Sequence, residues 1–501
     1  MLFCSTTAKY LSREKGVVMM EAQQEQLCQD RVFTHFYQIC QIPHGSGNEK
    51  ALSDHIYSWA LQLGLEAKQD SWNNVFIRKK ASPGFENAPG VMLQAHLDMV
   101  CEKADGIAHD FAKDSIEWVI DGDKLSTGGK TTLGADDGIG VALAMALLED
   151  DTLQHPLIEA LFTTMEEEDL SGAEHFDIGS AKSSYLINLD HVNEKEILCG
   201  SCGGMQVDIH IPVIAKSIPK EWESYRLTVS GLRGGHSGED IHRGRGSANT
   251  LINRILMELE GCCRFLLGPI RGGSFRLAIP RDAEAIVWFH PEQLHTVLSE
   301  IEKLQQSIRE ELAETADGVM FGLEPAQAEP WGVVPPKVLD AIALCPDGIY
   351  QMNELLTGLV DTSDNLGEVY LDQNELHLVI EIRAAHDSSR TYLFQCMTRL
   401  ANILGGTCQC SNTYPSWEFQ AKSSLRELCS KVYREQYGED PKLLTVHAGL
   451  EVGYFCAGKP GMDAVSLGPD CWDFHSPSET LRISSVKRVY RYLSHVLAAI
   501  H

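Results

Sequence analysis

Positive charge is scarce in this chain: 42 Lys and Arg stand against 70 Asp and Glu, a formal net charge of -28 over 501 residues. Nucleic acid demands clustered Lys and Arg to meet its phosphates, and an anionic membrane surface is no better served, so both are excluded as partners. No apolar run approaches the roughly 20 residues that span a bilayer. A secretory leader is not expected either. Met1 to Gly16 carries Lys9, Arg13 and Lys15 but no adequate apolar core and no convincing cleavage site. Met19 or Met20 offers an alternative translation start, and residues 1–26 are expected to be a disordered extension. A disulfide framework is lacking too. The 15 cysteines are odd in number and scattered, which predicts free thiols in a reducing, cytoplasmic compartment. Cys199-Gly-Ser-Cys202 has CxxC spacing, but its companion Cys408-Gln-Cys410 is too tight for a zinc knuckle.

What is present is an ordinary globular composition, 44% hydrophobic, in a chain too long for one core. Two domains are expected. Leu27 to Ile42 and Glu49 to Leu63 have the period of amphipathic helices, and Leu65 to Lys80 reads as a strand hairpin turning at Asn73-Asn74.

The organising stretch is Val91-Met-Leu-Gln-Ala-His-Leu-Asp-Met-Val100. Val91, Met92 and Leu93 read as a buried strand, and His96 and Asp98 follow on one side of the extended chain. Such a pair is either an ordinary hydrogen bond or a metal ligand with its orienting carboxylate. Asp136 and Asp137 open a helix of Ala, Leu and Met from Val141 to Leu148, so that one caps and the other faces a cation. The strand Ile158 to Met165 ends in Glu166-Glu167-Glu168-Asp169, and Tyr185 to Leu189 ends in Asp190. In open α/β sheets the carboxyl ends of the strands are where sites form.

From about residue 205 to 410 the composition is α+β, with strands at Ser224 to Val229, Glu284 to Phe289 and Glu375 to Ile382 and a long helix from Gln293 to Ala313. The alternation occurs about twice, which suggests two similar halves. The first pattern then resumes with a helix (Ser423 to Tyr437), strands (Lys442 to Val446 and Asp463 to Leu467), a loop carrying His475, and a closing helix from Ser485 to Ile500. The expected layout is therefore a discontinuous α/β domain, residues 27–204 and 411–501, with helices on both faces of a mixed sheet and an α+β domain inserted at 205–410. His96, Asp136, Glu167, Asp190 and His475 make a ligand set suited to paired Zn²⁺, Co²⁺ or Mn²⁺.

Gln94-Ala-His-Leu-Asp-Met99, Leu133-Gly-Ala-Asp-Asp-Gly-Ile-Gly140, Thr164-Met-Glu-Glu167, Gly234-Gly-His-Ser-Gly238 and His475-Ser-Pro-Ser-Glu479 stand in the order found in the M20 metallopeptidases. Asn188-Leu-Asp190, Ala278-Ile-Pro-Arg281 and His447-Ala-Gly-Leu-Glu451 make the resemblance strongest to the aminoacyl-histidine dipeptidase branch. The resemblance runs from about residue 27 to the end. It implies a di-zinc peptidase domain with an inserted lid, in which Asp136 bridges two Zn²⁺ (or Co²⁺ or Mn²⁺). His96 and Asp190 complete one site, Glu167 and His475 the other, and Asp98 orients His96. Glu166 is implied as general base, His236 as oxyanion stabiliser, and Arg383 and Glu451 as substrate-binding groups. It also implies a cis Asp136–Asp137 peptide. Ser478, Glu168 and Asp169 depart from the branch's pattern at positions that are not ligands.

The activity so implied is hydrolysis of unblocked dipeptides, those ending in His among them. An N-acyl amino acid amidohydrolase of the same family is the alternative, and a non-catalytic metal or peptide-binding protein is a third reading. A homodimer is left open. Family lids that dimerise are about half as long as residues 205–410, so the insert is expected to hold two lid halves in one chain, with His236 serving its own chain.

Overall fold

The computed structural model describes residues 22–315, 318–354 and 358–501. Up to residue 21 the expected N-terminal extension, with its alternative start, lies outside the described residues; residues 22–27 are helical. The chain divides into two compact units. One takes the residues up to Gly200 with Phe419–Thr445 and Leu450–His501; the other takes Ser201–Glu418 and Val446–Gly449.

The first unit is built on an eight-stranded mixed sheet. Its order is Glu66–Gln69, Val75–Lys79, Ile158–Thr163, Val91–His96, Tyr185–Asn188, Asp463–Ser466, Glu196–Ser201, Lys442–Val446. The strand Val91–His96 runs parallel to both Ile158–Thr163 and Tyr185–Asn188. All six of its residues are buried, as expected of a parallel strand covered on both faces. Parallel pairing also brings the carboxyl ends of three strands to one edge, so His96, the Glu166–Glu167 turn and Asp190 arrive together. The hairpin forms as the sequence predicts, with Asn73 in the left-handed region at φ 66°.

Helices Arg31–Cys40 and Lys50–Gln62 bury one face each. Asp30 caps the first by accepting from the Val32 amide at 3.0 Å. The stretch Ala135–Glu149 is buried almost all round, as its Ala, Leu and Met composition requires. Its first turn is not regular helix: Asp136 has φ/ψ of -83°/106° and Asp137 of -113°/29°, and the peptide bond joining them is cis.

The second unit carries its own apolar core on a nine-stranded sheet. Glu223–Ser230, helix Ala248–Cys262, Phe265–Gly272, Ala283–Phe289, helix Leu294–Glu311 and Met320–Pro325 form a β-α-β-β-α-β run. Numbered within the run, its strands lie in the order 4-1-3-2. The second half repeats this. Gly203–Pro212, helix Pro336–Leu344, Val360–Leu371, Glu375–Ala384, helix Asp387–Ile403 and Thr407–Tyr414 also lie 4-1-3-2, and the halves join where Phe265–Gly272 pairs with Val360–Leu371. Two split β-α-β units therefore share one sheet. The first is inserted after the opening strand of the second.

The described cysteines are all free. Burial pushes the Cys199 and Cys202 thiols up to about 11, away from thiolate chemistry.

Candidate active site

The first unit gathers every carboxylate and imidazole that the sequence singled out as a ligand. His96 Nε2 lies 3.2 Å from Asp136 Oδ1 and 3.8 Å from Asp190 Oδ1. His475 Nε2 lies 3.3 Å from Asp136 Oδ2 and 2.9 Å from Glu167 Oε1. Asp136 thus stands between the two imidazoles, one oxygen toward each. Three groups place one ligand atom per residue within 4.8 Å of the others: Asp136, Glu167 and His475; His96, Glu166 and Glu167; His96, Asp137 and Asp190. Glu166 and Asp137 are therefore within ligand range as well.

The His96 ring bears on whether cations fit here. Its Nδ1 donates to the Asp98 carbonyl oxygen at 3.0 Å, so a neutral ring turns the Nε2 lone pair toward two carboxylates. A lone pair facing carboxylates needs a proton or a metal cation between them. Buried Glu167 Oε1 makes no hydrogen bond, although His475 Nε2 stands 2.9 Å away. Imidazoles and carboxylates in this number are the donors that paired Zn²⁺, Co²⁺ or Mn²⁺ take, so the residues fit such ions.

The electrostatics agree. Burial alone would lower His96, but Asp136 and Asp98 outweigh it and hold the ring well above its usual range. His475 likewise, against burial, is pushed up to about 10 by Asp136 and Glu167. Burial drives Glu166 well above the ordinary carboxyl range, and the Glu167 charge adds to it against the pull of His96. Burial and Asp136 do the same to Asp190. Asp136 goes the other way: His475 and His96 overcome its burial and lower it.

Asp98 differs from the expectation in detail. Its carbonyl oxygen, rather than its carboxylate, holds the His96 ring; the nearer carboxylate oxygen is 3.6 Å away. The carboxylate instead accepts the amides of Glu166 at 3.0 Å and Glu167 at 3.1 Å, and the Ser46 hydroxyl at 2.8 Å. It anchors the turn that aims both glutamates. Met165, just before them, and His475 both sit at φ 59°. Left-handed backbone at non-glycine residues costs roughly 1–3 kcal/mol and collects at functional sites.

Four supporting residues, Glu479, Gln94, Thr163 and Asn188, carried no role in the sequence reading. Glu479 accepts four backbone amides, from Leu133 to Asp136. Burial and the Asp136 charge push its carboxyl up to about 7 against those donors. Gln94 and Thr163 donate to Glu451 Oε2 at 2.5 and 2.8 Å. The amide of Asn188 donates to Gln94 at 2.7 Å. Glu451 Oε1 is buried without a partner, and burial raises this carboxyl to about 7 against the pull of His96. The signal available was position: Glu479, Gln94 and Asn188 lie inside the quoted motifs. Of the departures, Asp169 Oδ1 accepts the amide of Ser171 at 3.0 Å, at the start of the short helix Ser171–His175, and Ser478 is exposed.

His236 and Arg383 belong to the second unit. Arg383 is buried; it donates from Nη1 to Tyr414 Oη at 2.9 Å and places Nη2 3.5 Å from His236 Nε2. His447, which the sequence placed only in a motif, pairs with Ser363 Oγ at 2.7 Å in the same unit. Burial and the Arg383 charge lower His236 to about 4 and His447 to about 3, so both rings are neutral at physiological pH.

A protein from Escherichia coli (strain K12), cytosol non-specific dipeptidase, is 34% identical over 478 residues, covering 95% of this chain and 98% of that protein. The crystal structure of aminoacylhistidine dipeptidase from Vibrio alginolyticus matches with a TM-score of 0.85 at 35% identity, over 94% of this chain and 96% of that one. Aminopeptidase PepT from Bacillus cereus ATCC 10987 shares the fold at 15% identity and TM-score 0.54, over 94% of this chain and 98% of that one. Residues 92–499 match peptidase family M20/M25/M40 as a whole, and the chain belongs to that family.

Proposed function

We propose that the protein is a metal-dependent dipeptidase acting on unblocked dipeptides, those ending in His included. The observation that carries the reading is Asp136 between His96 and His475 with Glu167 and Asp190 beside them, next to a glutamate, Glu166, that can remain free. His96, Asp136 and Asp190 would hold one divalent ion, and Asp136, Glu167 and His475 a second, with zinc the first choice. Such a pair supplies Lewis acidity that activates water near neutral pH and polarises the scissile carbonyl.

The remaining steps belong to the chain. Glu166, whose burial raises its proton affinity, takes the proton of the attacking water and passes it to the leaving amine. Asp98 keeps Glu166 in place through its amide. His236, a neutral ring, is proposed to donate to the developing oxyanion, and Arg383 to meet the substrate carboxylate. Glu451 separates the two enzymatic readings. A buried carboxylate oxygen without a partner suits a substrate ammonium and leaves an N-acyl group unrecognised. The second unit is assigned the role of lid, with the insert taken as 205–410 between catalytic segments 27–204 and 411–501. A cytoplasmic location is proposed from the cysteine pattern, and among the described residues no helix is long and apolar enough to cross a membrane.

The test is a panel of free-amine dipeptides, tripeptides and N-acetyl amino acids, run before and after chelation. Dipeptides should be hydrolysed, chelation should abolish turnover, and Zn²⁺, Co²⁺ or Mn²⁺ should restore part of it. Preference for N-acetyl amino acids would establish the amidohydrolase instead; activity that survives metal removal would end the metal mechanism.

A further inference from the structure

The second unit carries another grouping of metal-ligand side chains. Along Gly203–Pro212, Val207, Ile209 and Ile211 enter the core, so Asp208 and His210 take the opposite face of the sheet. On Glu375–Ala384, Leu376 and Leu378 enter the core and Glu375 and His377 take that same opposite face. The register sets His210 directly across from His377. Their rings stack with centroids 4.2 Å apart and planes 11° apart. Asp208 Oδ1 lies 2.9 Å from His377 Nε2, and Glu375 Oε1 lies 3.3 Å from His210 Nδ1.

We propose that Asp208, His210 and His377, with Glu375 beside them, form a further site for one borderline divalent transition ion such as Zn²⁺. Ligand atoms of Asp208, His210 and His377 already lie within 4.8 Å of one another. In a tetrahedral zinc site with bonds of about 2.0–2.1 Å, ligand atoms stand about 3.3 Å apart, so binding requires the stacked rings to turn and the ligand atoms to close by up to about 1.5 Å. Two imidazoles select this class of ion over Mg²⁺ or Ca²⁺, which take oxygen ligands. The two carboxylates balance a divalent charge. The plain alternative is two histidine–carboxylate hydrogen bonds on a solvated sheet face.

A second feature favours the ion. Gln206 Nε2 donates to Asp208 Oδ2 at 2.9 Å, and Asn412 Nδ2 donates to Gln206 Oε1 at 2.8 Å. This chain of donors occupies the far oxygen of Asp208 and turns the near one toward His377, as outer partners of metal ligands do. The bound ion would clip together the first and third strands of the second half-unit, joining His377 to Asp208, 169 residues apart in sequence.

The test counts metal in the full-length protein. Protein stripped by chelator is reloaded with Zn²⁺ or Co²⁺, desalted and analysed for bound ions, and the same titration is followed by calorimetry. The unmodified protein should hold one ion more than His210→Gln/His377→Gln, and that variant should keep its dipeptide hydrolysis. Gln206→Ala, a gentler change, should weaken the extra ion by about 10- to 100-fold without touching a ligand. Zn²⁺ should raise the melting temperature of the unmodified protein further than that of the double variant. Equal metal content in the two proteins, or an extra ion whose loss takes hydrolysis with it, would overturn the proposal. Its failure is separable from failure of the dinuclear reading: if the Asp136 cluster held no ion, the unmodified protein would still hold one that the double variant lacks.

Discussion

The Glu479 carboxylate accepts the amide of Leu133 at 2.6 Å from 346 residues away, and the amides of Gly134, Ala135 and Asp136 follow at 3.1, 2.7 and 3.3 Å. One side chain thus fixes the whole backbone approach to Asp136. Removing it leaves buried amides without partners, at roughly 1–3 kcal/mol each. Glu479→Ala should lose at least about 2 kcal/mol of stability in urea unfolding and bind metal more weakly, whereas Glu479→Gln should retain part of both. Unchanged metal affinity in Glu479→Ala would show that the loop needs no such anchor.

Glu166 and Glu167 are neighbours with different proposed tasks. Glu166→Gln should keep both ions and lose about 10²- to 10⁴-fold in kcat, the range of general-base catalysis. Glu167→Gln should lose metal instead, because it removes charge next to His475. Metal analysis beside steady-state kinetics separates the two, and normal turnover in Glu166→Gln would retire it as the base.

Glu451→Gln tests recognition of the free amine. Gln94 and Thr163 hold one oxygen of Glu451, so the substitution preserves the scaffold and removes the charge from the other. kcat/KM for unblocked dipeptides should fall on the order of 10- to 100-fold, the worth of a hydrogen bond to a charged group. A loss that also appears with substrates lacking the ammonium would assign Glu451 a structural role.

His447 predicts an acid-side loss of stability. Its folded-state value of about 3 lies below the 6.5 of an unfolded histidine. Between those values the unfolded chain binds a proton that the folded chain does not, so stability falls as pH drops below about 6.5 and rises with pH across that window. The slope for one such group approaches about 1.4 kcal/mol per pH unit. Urea unfolding at a series of pH values should show a shallower dependence between pH 4 and 6.5 in His447→Gln than in the unmodified protein. Identical slopes would mean that His447 is protonated in the fold.

A mixing experiment asks which chain His236 serves. The second unit holds both half-units in one chain, so inactive Glu166→Gln protein mixed with inactive His236→Ala protein should regain nothing. The protein must first prove monomeric, or mixed dimers must be shown to form. Recovery near half of normal activity per mixed dimer would place His236 across a subunit boundary.

The sequence by itself determined which residues the first unit would bring to one edge. Short, mainly apolar runs such as Val91–Leu93 and Ile158–Phe162 read as buried strands, and acids or His directly after them then emerge at strand ends. The order of the motifs then carried the resemblance that implies the ligand set and the base. Tertiary structure alone decided what each supporting group bonds to. Asp98 spends its carboxylate on the Glu166 and Glu167 amides rather than on His96, and no periodicity distinguishes those outcomes. Glu479 with the Asp136 loop, and Gln94 with Glu451, join residues more than 300 positions apart. The two half-units showed in the sequence only as an alternation that occurs about twice; that one interrupts the other is set by strand order, and His210 meets His377 only once strand register is set. Periodicity reports which face of an element is buried, a local property. Partners across a sheet depend on strand order and register, which only the packing of the whole chain decides.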